Sequence, residues 1–172
     1  DNQMSYEQRE IRNYVEASEL AIQNITERRI SRSFLGGLQR IIVRRTKGDT
    51  ADAGDLRPHE VAIGAENKPI QEARFVPCPA GDHLIFGVDA WEQWINQKSD
   101  LLIVAKMAIG HYQFETLHPF GDGNGRLGRL ISLLQIMQTG ELRWPVLNIA
   151  PWFESRRQLY QDGLLDVTLS GD

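Results

Sequence analysis

Residues 118–129 carry the sequence HPFGDGNGRLGR, a glycine-rich loop that leads into a predicted helix. Glycines alternate through it at Gly121, Gly123 and Gly125, and glycine allows the positive φ angles that let successive N–H groups point at one anion. The helix N-terminus that follows also favours negative charge, because its first N–H groups have no partner within the helix. Together these features predict a phosphate-binding loop between two helices.

Four other side chains of this stretch supply the chemistry that such a loop needs. Arg126 and Arg129 are three residues apart in the first helical turn, so they share a face where a polyphosphate would offset their charge. Asp122 is a hard oxygen ligand of the kind that Mg²⁺ bound to phosphates uses. His118, with an ordinary pKa of about 6.5, can accept a proton from an attacking hydroxyl at neutral pH. The stretch is therefore predicted to be a nucleotide-phosphate and metal site.

Three other kinds of site fit the sequence less well. A Walker-type phosphate loop needs a Lys followed by Ser or Thr, and none follows these glycines. The segment that begins at Asp122 starts like a calcium loop, but Leu133 stands at the twelfth position, where that loop has Glu. A zinc site formed by His111, Glu115 and His118 is geometrically conceivable, although a packing role is favoured for His111.

Composition sets the class of protein. The chain has 172 residues, 41% hydrophobic and 24% charged, which fits one soluble domain with or without a short extension. A net charge of -4 argues against a basic nucleic-acid surface, and the single cysteine, Cys78, allows no intramolecular disulfide. Without a long apolar run or a signal-peptide pattern, we expect a cytoplasmic protein with no membrane partner. The absence of an initiator Met and the final Ser-Gly-Asp suggest a core excised from a longer chain.

Hydrophobic periodicity predicts a mainly helical bundle with one small hairpin. A first helix follows a capping box of Ser5 and Gln8, and a second is expected from Thr26 through Ile42. The glycine pair at 36–37 inside the second helix predicts close packing against a neighbour. We divide the chain into N-terminal helices at 1–45, packed on a core of residues 46–172.

The second half of the chain contains the remaining predicted helices. One has Asp89 as its N-cap, one spans about 101–117, one runs from Asn124 or Gly125 to Gly140, and a last one starts at Pro151. The residues expected on the buried side of the helix at 101–117 are Leu101, Val104, Ala105, Ala108, Ile109 and Tyr112.

Two segments lack a helical pattern. Residues 46–64 are rich in Gly, Asp and Pro, and we predict a loop there. Residues 73–77 have an extended character, but Pro77 and Pro79 exclude a central strand, so this is an edge strand or a hairpin arm. An edge strand has free backbone groups that can pair with another peptide.

The stretch at 118–129 matches throughout the signature of the Fic family, His-Pro-Phe-x-Asp/Glu-Gly-Asn-Gly-Arg-x-x-Arg. Shorter segments extend the resemblance over most of the chain: LRP at 56–58, AIG at 62–64, FVP at 75–77, APWF at 150–153 and residues 157–160. The resemblance implies the all-α Fido fold of the Fic/Doc superfamily, Fic branch: a Fic-type helical bundle with a small β-hairpin flap over the active site. The flap would lie at about 72–78, and the active-site loop and helix at 118–138.

The resemblance also assigns roles within the motif. The motif histidine is the general base in the family, which implies that role for His118, and Asp122 would hold Mg²⁺. The residues implied to bind the phosphates of ATP are Gly123, Asn124, Gly125, Arg126 and Arg129.

Outside the motif the resemblance implies a target site and an adenine pocket. Tyr160 matches a tyrosine that lines the family's adenine pocket, and Leu169 is expected to be a further adenine contact. The second tyrosine usual in that pocket is here Gln161. The flap residues implied to dock a target protein by strand pairing, and so to present its Ser, Thr or Tyr hydroxyl, are Arg74, Phe75 and Val76.

The activity implied is that of a protein adenylyltransferase (AMPylator), which moves AMP from ATP to a target protein and releases pyrophosphate. Alternatives within the family are removal of AMP, transfer of other nucleotides or phosphocholine, and kinase activity, although the kinase branch typically has Lys where this chain has Gly125. An alternative of another class is a nucleotide-binding regulatory or toxin–antitoxin module with little turnover.

Regulation and partners are further expectations from the family. Many members carry an inhibitory helix, Ser/Thr-x-x-x-Glu-Gly/Asn, that this sequence does not contain, and we expect it upstream of residue 1. Homodimers are common among relatives. Relatives that bind DNA do so through a separate domain, so nucleic acid is expected as a partner only through such a domain.

Overall fold

In the residues that the structure describes, the regular secondary structure is α-helical, as predicted for the bundle. The computed structural model describes residues 4–63, 73 and 75–170. Within them the extended segments pair at an antiparallel bridge between Ile63 and Phe75 and form no sheet. The seven helices of the described residues are α1 (Tyr6–Asn24), α2 (Arg32–Val43), α3 (Asp82–Ile95), α4 (Ile103–Leu117), α5 (Asn124–Gln138), α6 (Ala150–Ser155) and α7 (Arg157–Ser170).

Helix α5 lies at the centre of the bundle and contacts α1, α2 and α4. Its apolar residues at the helical spacing, Leu127, Leu130, Ile131 and Leu134, are almost completely buried. Burial of one such side chain stabilises the fold by about 1.5–3 kcal/mol. The core therefore fixes α5 along its length, and with it the loop that enters its N-terminus.

The start of α2 differs from the prediction. The capping box of Ser5 and Gln8 opens α1 as expected, but the second helix begins at Arg32 rather than Thr26. Ser31 caps it by accepting a hydrogen bond from the Phe34 N–H at 3.2 Å. Ile30 reaches the core from a non-helical segment, because the side chain of Asn96 bonds both its N–H and its carbonyl.

Helix α3 also begins earlier than predicted. Asp89 is not its N-cap, since the helix starts at Asp82 after Gly81. Leu84, Val88 and Trp91 are buried on one apolar face, which begins before Asp89 and continues after it. This face explains why the helix starts seven residues before the predicted N-cap. Asp89 is a favourable capping residue, but here it lies on the exposed face within the helix, so the predicted start was wrong.

The buried face predicted for α4 was wrong. Gly110, His111, Phe114 and Glu115 are buried, whereas Val104 is largely exposed. Leu101 is also exposed and precedes the helix. A hydrophobicity count places His and Glu outside, but here α4 turns these polar groups inward toward the site.

The loops and the C-terminal helices complete the chain. Residues 46–63 form turns and irregular structure, as predicted. Close packing holds for Gly36, where an added Cβ would overlap the Gly54 carbonyl oxygen, but not for Gly37, which has nothing nearby. The single helix predicted from Pro151 is divided in two at Arg156. No helix in the described part of the chain is both long and apolar enough to cross a membrane.

Candidate active site

His118 is the residue at which α4 ends and the loop begins. Its φ of 48° and ψ of 60° lie in the left-handed region, which is uncommon for a residue other than glycine. The His118 N–H donates to the Phe114 carbonyl at 2.9 Å and so closes the last turn of α4. Such a conformation persists where the surrounding structure holds it, and it is found most often at functional sites.

Arg57 holds the chain in this conformation from a distant loop. The side chain is buried, and the backbone N–H of Arg57 donates to the Pro119 carbonyl at 2.9 Å. Its guanidinium donates to the carbonyl oxygens of His118 (2.7 Å), His59 (2.8 Å), Leu117 (3.2 Å) and Cys78. Sequence reasoning included Arg57 only in a matching segment and missed this role, because all these acceptors are backbone atoms.

Two buried amides fix the backbone of the loop. Asn124 bonds across it, since its Oδ1 accepts from the Phe120 N–H at 3.0 Å and its Nδ2 donates to the Phe120 carbonyl at 2.7 Å. Gln39, on α2, donates from Nε2 to the Asp122 carbonyl at 3.0 Å and accepts from the Gly54 N–H at 2.6 Å. These bonds organise the loop without a ligand, and the Asn124 side chain is committed to the protein itself.

One of the three loop glycines takes a positive φ. Gly123 precedes α5 with a φ of 84°, whereas Gly121 and Gly125 do not have positive φ. A Cβ on Gly123 would lie 3.3 Å from Ile42 Cγ2, so the position is also tight. The alternating glycines thus correspond to one left-handed residue rather than three.

The two arginines bring positive charge to the start of α5. Arg126 Nη2 lies 3.4 Å from Asp122 Oδ1, and Arg126 Nη1 lies 3.6 Å from Glu10 Oε1 on α1. Arg126 Nη1 and Arg129 Nε are buried, and neither makes a hydrogen bond. Buried donors normally have acceptors. Apart from the ion pair of Arg126 with Glu10, the described residues provide none for these two atoms, which can therefore serve an anion at the helix N-terminus.

Asp122 is the acidic residue of the loop. Its Oδ1 accepts from the Gly123 N–H at 2.5 Å, and its other oxygen, Oδ2, lies against Gly48, where a Cβ would overlap it. In the described residues no group of three or more His, Cys, Asp or Glu side chains is placed to hold a metal ion, which gives the zinc alternative no support. A single carboxylate is compatible with Mg²⁺, which usually takes one or two protein carboxylates beside phosphates and water.

The His118 ring is largely withdrawn from solvent. Burial, together with the charge of Arg57, lowers the pKa of His118 to about 4, against smaller effects of the Glu115 carbonyl and Asp122. Burial raises the pKa of the nearby Glu115 carboxyl to about 7, partly opposed by the charge of Arg129. His118 is consequently neutral at neutral pH, the form in which an imidazole can accept a proton.

Of the predicted flap residues, Phe75 lies beside this site. Ile63 and Phe75 exchange two backbone hydrogen bonds, of 2.9 and 3.3 Å, and Val76 is exposed. Phe75 lines a small cavity of about 60 Å³ together with Glu115 and residues of α7. Arg74 lies outside the described residues, and of the flap predicted at about 72–78 the structure describes residues 73 and 75–78.

The two residues predicted to line the adenine pocket have different surroundings. The Tyr160 hydroxyl and His111 Nε2 share a hydrogen bond of 2.8 Å, and the Tyr160 ring packs on Phe153. Burial raises the pKa of the Tyr160 hydroxyl, and the charge of Glu115 adds to the effect. Leu169 is 76% exposed near the end of α7. The structure thus brings Tyr160, but not Leu169, into contact with the buried side of α4.

The family of the chain follows from comparison with known proteins. The sequence model of the Fic/DOC family matches residues 29–136. The chain is 34% identical over 135 residues to "Protein adenylyltransferase Fic" of Aedes aegypti, covering 76% of this chain and 24% of that protein. It is 34% identical over 101 residues to "Protein adenylyltransferase fic-1" of Caenorhabditis elegans, covering 56% of this chain and 18% of that protein. The chain therefore spans a quarter or less of the length of these two curated relatives.

Solved structures of similar fold extend the match to nearly the whole chain. A Fic family protein from Desulfovibrio desulfuricans superposes with a TM-score of 0.79 at 23% identity, covering 98% of this chain and 48% of that one. A Fic domain containing signaling protein from Bacteroides thetaiotaomicron gives a TM-score of 0.62 at 26% identity, covering 77% of this chain and 49% of that one. The helical architecture around α5 is common to these folds. The chain belongs to the Fic/DOC family.

Proposed function

We propose that this chain is a protein adenylyltransferase that transfers AMP from ATP to a Ser, Thr or Tyr hydroxyl of a target protein. The observation that carries the proposal is the combination, in one loop and the first turns of the helix that follows it, of a neutral histidine and buried arginine nitrogens that make no hydrogen bond with the described residues. The first suits proton removal from a hydroxyl, and the second suits a polyphosphate. The names of the curated relatives support the same activity.

In this mechanism the protein mostly positions groups and stabilises charge. His118 takes the proton of the target hydroxyl as its oxygen attacks the α-phosphorus, and pyrophosphate leaves. The backbone N–H groups of Asn124 and Gly125 bind phosphate oxygens at the start of α5, and that of Gly123 joins them when it leaves Asp122 Oδ1. Arg126 and Arg129 stabilise the charge that grows on the leaving pyrophosphate.

Mg²⁺ is part of the proposal because Asp122 suits it. The carboxylate is half exposed and ends a loop that is already fixed by other bonds, so it can bind a metal without rearrangement of the backbone. Bound there, Mg²⁺ would neutralise phosphate charge. The part of this chain is to hold Asp122 beside the phosphate-binding N–H groups.

The flap and α7 complete the proposed substrate sites. A target segment docks along Arg74, Phe75 and Val76 by pairing with the flap backbone, which selects extended peptides rather than particular side chains. Tyr160 and Leu169 border the adenine. The contact of Tyr160 with His111 supports a fixed wall at that point, whereas the exposure of Leu169 requires α7 to shift or the base to lie near the surface.

Labelled ATP tests the proposed activity. We would incubate the chain, with and without added protein extract, with ATP labelled at the α or the γ phosphate. We expect covalent α-label that His118→Ala reduces by about 10²–10⁴-fold, the usual contribution of a general base. His83→Ala, at an exposed histidine of α3, is the matched control and should label normally.

Other results would point to other activities. Label from the γ position would indicate a kinase, and release of AMP from a modified protein would indicate the reverse reaction. Tight ATP binding with no label would favour a nucleotide-binding module. If His118→Ala acquires α-label as fast as the unmodified chain, the role of His118 is wrong.

A further inference from the structure

A buried carboxyl lies directly behind the histidine of this site. Glu115 precedes His118 by about one turn of α4, and its Oε2 lies 4.0 Å from His118 Nδ1. The Glu115 side chain is 11% exposed, the His118 side chain 19%. Glu115 Oε1 and His118 Nδ1 are both buried, and neither makes a hydrogen bond of normal geometry. Burial of a carboxyl at such a place is costly.

The position of Glu115 identifies which ring nitrogen faces the substrate. Nδ1 of His118 is buried, points toward α4 and lies near the Glu115 backbone carbonyl, which favours a proton on that nitrogen. Nε2 is therefore the nitrogen that is left to accept a proton from outside. A carboxylate near Nδ1 stabilises the imidazolium that forms when Nε2 accepts a proton from a substrate.

We propose that Glu115 is a positioning residue for AMP transfer, whose carboxylate stabilises the imidazolium that forms on His118. This inference rests on the proposed function. The target oxygen forms a bond to the α-phosphorus, the bond from that phosphorus to pyrophosphate breaks, and the hydroxyl proton moves to Nε2. Glu115 takes no proton in this step. The proton later leaves Nε2 for solvent.

The groups around the pair set the pH at which it works. Arg129 of α5 acts on the Glu115 carboxyl, Tyr160 of α7 lies close enough to sense its charge, and His111 lies one turn before it on α4. Arg57 and Asp122 act on His118 from the loops.

Burial is the dominant influence on the carboxyl. Glu115 borders an apolar cavity that Ile63, Phe75, Leu164 and Leu165 also line, and desolvation there raises its pKa to about 7. Glu115 is thus protonated at pH 5.5 and ionised at pH 8.5. His118 is neutral over this whole range, since its pKa is about 4. A rise of the rate through pH 7 would therefore report Glu115 and not His118.

The first test compares the unmodified chain with Glu115→Gln, which keeps the size and removes the charge. The rate of covalent α-labelling is measured at saturating ATP from pH 5.5 to 8.5. We expect the two rates to be similar at pH 5.5 and to differ about tenfold at pH 8.5. The reason is that the Glu115 carboxyl, 4.0 Å from His118 Nδ1, stabilises the imidazolium only when it is ionised. Glu115→Asp should recover part of the rise, and Glu154→Gln, at an exposed position of α6, should leave the profile unchanged. A loss that is the same at every pH would indicate a merely structural role and overturn the inference.

The second test does not depend on turnover. In nitrogen NMR of the imidazole, assigned with His118→Ala, the His118 resonances should shift with a midpoint near pH 7 as Glu115 ionises. Glu115→Gln should abolish that shift and leave the titration of His118 itself near pH 4, where the Glu115 carboxyl is already uncharged. The coupling without α-label would refute the proposed function and leave the pair standing. Label that depends on His118 without the coupling would refute the pair and leave the function standing.

Discussion

The loop at 118–129 and the helices at 150–170 both border the candidate site, yet they are built differently. The loop is joined to two distant parts of the chain by the buried side chains of Gln39 and Arg57, and α5 anchors it in the core. Helices α6 and α7 contain no buried residue. The contacts described for them with α4 include the hydrogen bonds of Tyr160 with His111 and of Thr168 with Tyr112.

The difference shows which part of the proposed site the fold organises in advance. The loop has its shape without a ligand, because its backbone bonds are internal to the protein. Helices α6 and α7 expose large apolar residues, such as Trp152 and Leu159, and local opening costs least in such weakly buried elements. In the proposed reaction the phosphates would therefore meet a preformed loop, whereas the adenine and the target would meet a more adjustable surface.

The largest expected effect on this contrast comes from Arg57→Ala. The change removes the donor for four backbone carbonyls in and beside the loop, so we expect a loss of about 3–4 kcal/mol in the free energy of unfolding and little α-labelling. Urea denaturation measures the first and labelled ATP the second. Arg143→Ala, at an exposed arginine, is the control. A loss below about 1 kcal/mol would show that the loop holds its shape without Arg57.

A smaller effect is expected from a matched pair of asparagines, one in each region. Asn124→Ala removes two bonds to the buried backbone of Phe120 and should cost about 2–3 kcal/mol. Asn148→Ala removes one exposed bond, from the Ala150 N–H at 3.2 Å, and should cost under about 1 kcal/mol. Thermal unfolding of both variants gives the comparison. Equal losses would contradict the difference in construction between the two regions.

The smallest effect is expected in α7. Tyr160→Phe removes the bond to His111 but keeps the ring, so it should cost about 1 kcal/mol. Hydrogen exchange should show faster opening of α7 with little change in α5. Leu169→Ser, at an exposed position, should change stability by no more than about 0.5 kcal/mol. Equal acceleration of exchange in α5 would mean that the two regions open as one unit.

The sequence was most informative where the signal is local. The motif at 118–129, the capping box of Ser5 and the all-α architecture all depend on residues near each other in the chain. The family match confirms the resemblance that the motif carries, and the structure confirms the capping box and the all-α architecture. The wrong face of α4 has the opposite cause. His111 and Glu115 are buried because of partners on α5 and α7, and no periodicity of apolar residues reveals such partners.

Arg57 and Gln39 escaped prediction for the same reason. Each bonds backbone atoms of a loop that follows much later in the chain, and a backbone carbonyl leaves no mark on the sequence. The start of α2 was missed because Asn96, also distant, supports Ile30 outside a helix. Local patterns thus predicted the loop that enters α5, while the contacts that support it were visible only in three dimensions.

The loop requires glycine at position 48, which matters to anyone who would transfer the motif to another protein. The Asp122 carboxylate rests on it, and any side chain at position 48 would take the space of Oδ2. Residues 118–129 transferred to another helical scaffold would therefore keep the motif sequence but lose the space that the Asp122 carboxylate occupies beside Gly48. The transferable unit is the loop at 118–129 together with Gly48 and its neighbouring backbone in the loop that follows α2.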